Sequence, residues 1–386
     1  KQWYIDKISC RGGWDITTGD PGTIIAVLDT GVMFSHEDLG GKTLSTGWDY
    51  VNNDNDPSDD NGHGTLVSGV IAASSNNGIG ITGINWNAKI LPIKVLDSTG
   101  QGTSEYITQG ILHAVSNNAD VISMSFGGGS SSSAMERAIN IAYSANVVCV
   151  AAMGNQGGAA VNYPAGYENV IRVGATDSSD NRASFSTYGA GAQITELTAP
   201  GVDILTTAMP STNSYAHVSG TSFSAPMVSG LAGLILDHDP NITVADLRIL
   251  LHITADDLGK SGPDKYFGFG RINVENALKN ISTQTKGSEV SKLLNFPNPA
   301  NENGTSFSFF LEDSADVTIK IFTPHGELLK TIDAGNMTGP YFKIPWDCKD
   351  EREELLPNGT YVYVLIVAGG SAHNKVIKKG KMAMMR

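Results

Sequence analysis

Three short segments of this 386-residue chain hold residue types that could share one reaction. Ala26-Val27-Leu28-Asp29-Thr30-Gly31 ends an apolar run on a carboxylate, at the strand edge where open α/β sheets place their sites. Asn61-Gly62-His63-Gly64-Thr65 opens an apolar helical pattern with an imidazole. Ser219-Gly220-Thr221-Ser222-Phe223-Ser224-Ala225-Pro226 is a glycine-containing turn leading into a helix over 225–236, with Pro226 in its first turn. A serine in that turn meets free N–H groups and the positive end of a helix dipole, which favour negative charge. Its hydroxyl is a poor nucleophile at neutral pH, so a neutral imidazole must accept the proton. A carboxylate then fixes the imidazole tautomer and stabilises the imidazolium.

Singly, each residue has a plainer reading. Asp29 before Thr-Gly suits a turn, or half of a paired-aspartate site, but the chain has no second Asp-Thr/Ser-Gly to complete such a pair. His63 alone reads as a helix-start residue, and Ser222 as one serine among many. Asn155, before Gln156-Gly157, reads as a turn. The combination in Asp…His…Ser order reverses these readings in favour of catalysis.

The elements that must position these residues are legible in the pattern. Strands are expected over 23–28, 90–95, 121–125 and 147–152, with helices over 105–117 and 133–145. Near-continuously apolar strands alternating with helices predict an α/β fold, a parallel sheet with helices on both faces. The composition turns polar from Ile281 to Lys292, which reads as a linker. Beyond it, 307–311, 316–322 and 361–367 alternate apolar and polar residues between Asn-Gly, His-Gly and Gly-Gly turns, the pattern of a small antiparallel β-sandwich. The expected division is 1–284, a linker over 285–294, and a sandwich over 295–386.

Across residues 1–280 the chain resembles the subtilisin family, and within it the thermitase-like members. The resemblance rests on the Asp29, His63 and Ser222 blocks and on Ala152-Met153-Gly154-Asn155-Gln156-Gly157. It implies a secreted serine endopeptidase working through an acyl-enzyme on Ser222, with Asp29 and His63 completing a triad. The Asn155 amide and the Ser222 N–H would be the oxyanion donors. It also implies an N-terminal propeptide before maturation. One departure is Leu66, where the family commonly has a second histidine; Leu66 is expected to pack as a helix core residue.

The same resemblance implies structural calcium. Asp49, Asn52, Asp54 and Asp56 match one calcium loop, dense in the short oxygen ligands that calcium takes; a solvated acidic loop is the plainer alternative. Asp38, Ser75, Asn77, Ile79 and Ile81 match a second, which an N-terminal ligand usually completes and which this chain is expected to lack. An extended protein or peptide substrate would add as a strand beside Gly100–Gly102 and Ser125–Gly127. The S1 pocket would be walled by Ser125, Phe126, Gly127, Ala152 and Gly154, with Asn162 near its base. No acidic residue stands at these positions, which argues against basic P1 residues. Ser104 stands where many relatives carry a tyrosine, suggesting an open S4 subsite.

Composition narrows the rest. Lys+Arg number 26 against 39 Asp+Glu, a net charge of −13, which disfavours nucleic acid and suits a soluble protein that holds cations. Cys10, Cys149 and Cys348 are too few and scattered for a disulfide framework or a zinc site, and Cys149 reads as a small buried hydrophobe. No run is long enough for a transmembrane helix. The first residues do not resemble a signal peptide, so a targeting segment is expected to be already removed if the protein is exported. Asn295-Phe296-Pro297-Asn298-Pro299 and the closing Lys-Gly-Lys-Met-Ala-Met-Met-Arg resemble Ig-like C-terminal modules of exported bacterial enzymes, some of which engage export machinery. A noncatalytic adhesion protein on a degenerate protease scaffold is the alternative from another class.

Overall fold

The computed structural model describes residues 1–189, 195–281, 291–302, 304–310, 314–337, 341–368 and 376–385. Their contacts divide the chain into two units, Lys1–Ile281 and Ser282–Arg386.

The first unit is built on seven strands: β1 (Ile24–Asp29), β2 (Trp48–Asp49), β3 (Lys89–Lys94), β4 (Val121–Met124), β5 (Val148–Ala152), β6 (Val170–Thr176) and β7 (Leu197–Pro200). They form one sheet in the order β2-β3-β1-β4-β5-β6-β7, and every pairing is parallel. Successive strand residues face opposite sides, so a strand apolar throughout needs cover on both. Ala26 and Leu28 pack with α4 (Ser104–Ser116) and α5 (Ser133–Ser144) in one apolar core. Ile25 points the other way, where a Cβ on Gly233 of α6 (Thr221–His238) would lie 3.1 Å from it. Helix α3 (His63–Ala72) packs beside α6. Shorter helices α1 (Trp3–Lys7) and α2 (Cys10–Trp14), with α7 (Val244–Thr254) and α8 (Val274–Ile281), complete the unit. An antiparallel hairpin, β8 (Ile204–Ala208) and β9 (Ser214–Val218), leads into α6. All three cysteines are buried and free, and burial pushes the Cys149 thiol up to about 12.

Most expected boundaries shift by a residue, and one helix start moves further. The helix placed over 225–236 begins four residues earlier, at Thr221, so Ser222 is its second residue and Pro226 lies in its second turn. A proline there leaves the carbonyl four residues back without its helical donor. That carbonyl belongs to Ser222, and the Ser125 hydroxyl donates to it (2.9 Å).

The second unit holds β10 (Ser291–Asn301), β11 (Gly304–Phe310), β12 (Ala315–Phe322), β13 (Leu328–Met337), β14 (Tyr341–Trp346), β15 (Gly359–Ala368) and β16 (Val376–Met384). Their order is β13-β12-β15-β16-β10-β11-β14, around a core that includes Phe307, Phe309, Ile319, Tyr363 and Leu365. The pairings are antiparallel except at Ala300 and Met384, where β10 and β16 run parallel. This is a nearly closed sheet, less purely antiparallel than expected. β10 starts inside the stretch expected to be linker, and 282–290 lie outside the described residues.

Behind the sheet edge, Glu196 is buried under two arginines and a histidine. Arg248 donates twice to its carboxylate, through Nε and through Nη2 (2.7 Å), and His252 Nε2 donates to Oε1 (2.8 Å). Arg172 Nε lies 3.5 Å from Oε2, and the His252 ring stacks on Phe269 at 3.9 Å. Burial alone would raise the Glu196 pKa, but Arg248 and His252 hold it well below the usual carboxylate range. Burial pushes His252 down, and the Glu196 carboxylate only partly offsets this. Both groups therefore bind protons less readily folded than unfolded. Stability should fall as pH drops below about 6.5, the ordinary histidine range, and fall again through the carboxylate range. Replacing Glu196 with Ala strips Arg248 of its carboxylate, and breaking a buried pair from one side costs roughly 3–5 kcal/mol. Urea unfolding at neutral pH should show a loss of that size; an unchanged midpoint would contradict it.

Candidate active site

Asp29 is the last residue of β1 and fully buried. Its Oδ1 accepts from the Thr30 N–H (2.8 Å) and lies 2.8 Å from His63 Nδ1. An ionised carboxylate can only accept, so Nδ1 carries the proton and neutral His63 keeps Nε2 as a free base. Two glycines allow this approach. Gly62, at the start of α3, has φ +106°. A Cβ on Gly64 would lie 2.0 Å from the Gly31 carbonyl and 3.2 Å from Asp29 Cβ, so no side chain fits between the helix start and β1. Burial alone would lower the His63 pKa, but the Asp29 carboxylate, and after it Asp59, bring it above the ordinary value.

Ser222 comes from the helix beside α3, in the first turn of α6, where N–H groups lack helical partners. Its hydroxyl donates to the Ser125 carbonyl (2.9 Å), reciprocating the Ser125 hydrogen bond to the Ser222 carbonyl. The His63 ring lies against Phe223, the next residue, at 5.9 Å. Catalytic hydrogen bonds in substrate-free sites are commonly unformed until substrate tightens them. Asn155 follows β5, and its Oδ1 accepts from both the Thr221 N–H (2.9 Å) and the Thr221 hydroxyl (3.0 Å). That leaves Nδ2 as donor, close to the Gly220 backbone. Thr221 also accepts from the Gly154 N–H (3.1 Å), so one threonine aligns the Asn155 and Ser222 segments.

The predicted pocket wall is partly assembled. Gly127 and Asn162 are adjacent: a Cβ on Gly127 would lie 3.3 Å from Asn162 Cβ. Asn162 Nδ2 donates to the Met153 carbonyl (2.7 Å) and to Gln156 Oε1 (3.0 Å). Gln156, unassigned from sequence, also accepts from Thr187 (2.6 Å) and crosses this region beside Gly154. Only its contacts across the fold, with Asn162 and Thr187, distinguish it from a turn residue. Ala152 is buried and Phe126 half-buried. Gly100, with φ +76°, and Gly102 lie in the loop before α4, and Ser104 is exposed as its first residue. Leu66 is half-buried, not in the core as expected, because that face of α3 retains solvent exposure.

The acidic loops fold on themselves. Asp49 Oδ1 accepts from the Val51 and Asn52 N–H groups and Oδ2 from the Asn52 amide. Asp54 and Asp56 likewise accept from loop N–H groups. Buried Asp38 accepts from Asn77 Nδ2, Ile81 N and the Tyr215 hydroxyl. Ser75 bonds to the Ala73 carbonyl, and Ile79 is exposed. Among the described residues no three His, Cys, Asp or Glu side chains converge as a metal site. The donor chemistry suits a hard cation, but the carboxylates are turned to amides. Near this loop the Gln2 side chain pairs with both the N–H and the carbonyl of Thr82, 80 residues away.

The sequence profile of the Subtilase family matches residues 20–270. Thermitase from Thermoactinomyces vulgaris is 42% identical over 279 residues, covering 72% of this chain and 96% of that protein. Subtilisin DY from Bacillus licheniformis is 43% identical over 283 residues, 71% of this chain and 95% of its own. The thermophilic serine proteinase of Bacillus sp. (strain AK1) is 44% identical over 265 residues, 69% of this chain and 64% of its own length. A parallel seven-stranded sheet with a carboxylate, an imidazole and a serine at its edge therefore belongs, with these relatives, to the subtilase family, and the chain is a serine endopeptidase of the subtilisin type.

Proposed function

We propose that this endopeptidase acts outside the cell or at its surface, on extended protein segments, through an acyl-enzyme on Ser222. The observation that carries the reading is the Asp29–His63 hydrogen bond, which leaves Nε2 free as base beside the helix turn that holds Ser222. His63 takes the Ser222 proton as the hydroxyl attacks the scissile carbonyl, then returns it to the leaving amine. The Ser222 N–H and the Asn155 amide stabilise the oxyanion.

The S1 pocket lies between Ser125–Gly127 and Ala152–Gly154, with Asn162 and Gln156 at its polar end. With no acidic residue there, large apolar or aromatic P1 residues are favoured over Lys or Arg. Calcium is proposed for the loop of Asp49, Asn52, Asp54 and Asp56, and for a second site of Asp38, Ser75, Asn77, Ile79 and Ile81. Binding would use the lone pairs that the loop N–H groups leave on these carboxylates, since Asp54 and Asp56 are engaged through Oδ1. The second unit is proposed as an Ig-like accessory or sorting module that engages export machinery, and a propeptide as the precursor's N-terminal partner. No helix among the described residues is long and apolar enough to cross a membrane.

Three measurements test this reading. Ser222→Ala should abolish casein hydrolysis with the fold retained, whereas Asn155→Leu should lower kcat about 10²–10³-fold, the loss seen in subtilisin itself when its side-chain oxyanion donor is removed. Turnover by the Ser222 variant would sink the triad. Profiling cleavage of a peptide library should show modest apolar P1 preference, since hydrophobic pockets separate near neighbours by only about 1–3 kcal/mol; dominance of Lys and Arg would overturn it. Calcium at a hundredfold excess over its dissociation constant should stabilise the fold by about 2.7 kcal/mol relative to chelator, and identical melting curves would remove calcium from the account.

A further inference from the structure

We propose that Asp59, a buried carboxylate outside the triad, is a positioning residue that sets His63 against Asp29 through the residues that flank them. Asp59 is only 8% exposed. Its Oδ1 accepts from the Thr30 hydroxyl (2.8 Å), the Asn61 N–H (3.0 Å) and the Gly62 N–H (2.8 Å). Its Oδ2 accepts from the Thr65 N–H (2.9 Å) and the Thr65 hydroxyl (2.6 Å). Thr30 in turn accepts from the Gly64 N–H (2.9 Å). One carboxylate thus gathers the residue after Asp29 and the residues on both sides of His63. No backbone hydrogen bond within the helix could do this, because the first N–H groups of α3 have no helical partner.

Five donors on about four lone-pair sites leave the carboxylate no spare acceptor capacity. An amide at this position would present one oxygen and an NH₂ group, so one side of the network must open. The charge acts separately. Asp29 on β1 and Asp59 are the carboxylates that raise the His63 pKa. The neighbouring Asp60 is paired with the buried Lys94 ammonium of β3 at 2.6 Å.

The two contributions can be separated in the full-length chain. Asp59→Asn removes both charge and geometry, whereas Thr30→Val opens the link to β1 and keeps the charge. Turnover of a small chromogenic peptide would be followed across the neutral pH range, with folding checked by circular dichroism. Asp59→Asn should lose up to about 100-fold in kcat, the scale of a misplaced catalytic group, with KM little changed. The acid limb of its kcat/KM profile should move to lower pH. Thr30→Val should lose kcat with the limb unmoved. A folded Asp59→Asn enzyme with an unmoved limb, or with wild-type kcat, overturns the proposal. Should Asp59→Asn fail to fold, wild-type kcat in Thr30→Val overturns it equally. The proposal rests on the triad reading, whose own failure shows separately as turnover by Ser222→Ala.

Discussion

A carboxylate is buried at the end of β1, and the geometry around it follows from keeping it charged there. An isolated buried charge costs several kcal/mol even after relaxation, and Asp29 Oδ2 has no hydrogen-bond partner among the described residues. The charge is therefore answered on one oxygen, by the Thr30 N–H and the His63 ring. That concentration is useful. A carboxylate with few other partners gains most when the imidazole it faces becomes positive, so the stability of Asp29 and the basicity of His63 are one electrostatic arrangement.

The parallel sheet makes the arrangement reachable. Its strands all end at the same edge, so residues far apart in the chain arrive together: Asp29 closes β1, Ser125 follows β4 and Asn155 follows β5. Helices α3 and α6 start from loops at that edge and bring His63 and Ser222 with their unpartnered N–H groups. In α3 these groups meet Asp59. In α6 the Ser222 N–H lies near the turn fixed by Thr221 and Asn155. The same feature, a helix start, is satisfied by a carboxylate where a base is needed and left available where negative charge must develop.

What could be read from sequence divides along the same line. Asp29, His63, Ser222 and Asn155 are legible because their chemistry demands those residue types within short, glycine-bearing blocks, and the α/β alternation follows from strands apolar on both faces. Asp59 is not legible: it stands in an acid-rich stretch, 54–60, that reads as a loop, and its role depends on Thr30, 29 residues away. Gln2 is missed for the same reason, since its partner Thr82 lies 80 residues on. The start of α6 is misjudged because a proline is expected in a first turn. The substitute donor from Ser125 that lets the helix begin earlier is a tertiary contact.

That substitute bond also explains why a proline is tolerated beneath the nucleophile. An alanine at 226 could donate its N–H to the Ser222 carbonyl and satisfy the helix locally. With proline the carbonyl is left for Ser125, whose hydroxyl takes it while its own carbonyl receives the Ser222 hydroxyl. The pair ties the end of β4 to the first turn of α6 through two hydrogen bonds, one of them to a carbonyl that a regular helix would keep for its own N–H. The lost helical bond is thus converted into a contact between the pocket wall and the nucleophile. When His63 draws the Ser222 hydroxyl away, only one of the two bonds must break, and the wall stays anchored by the other.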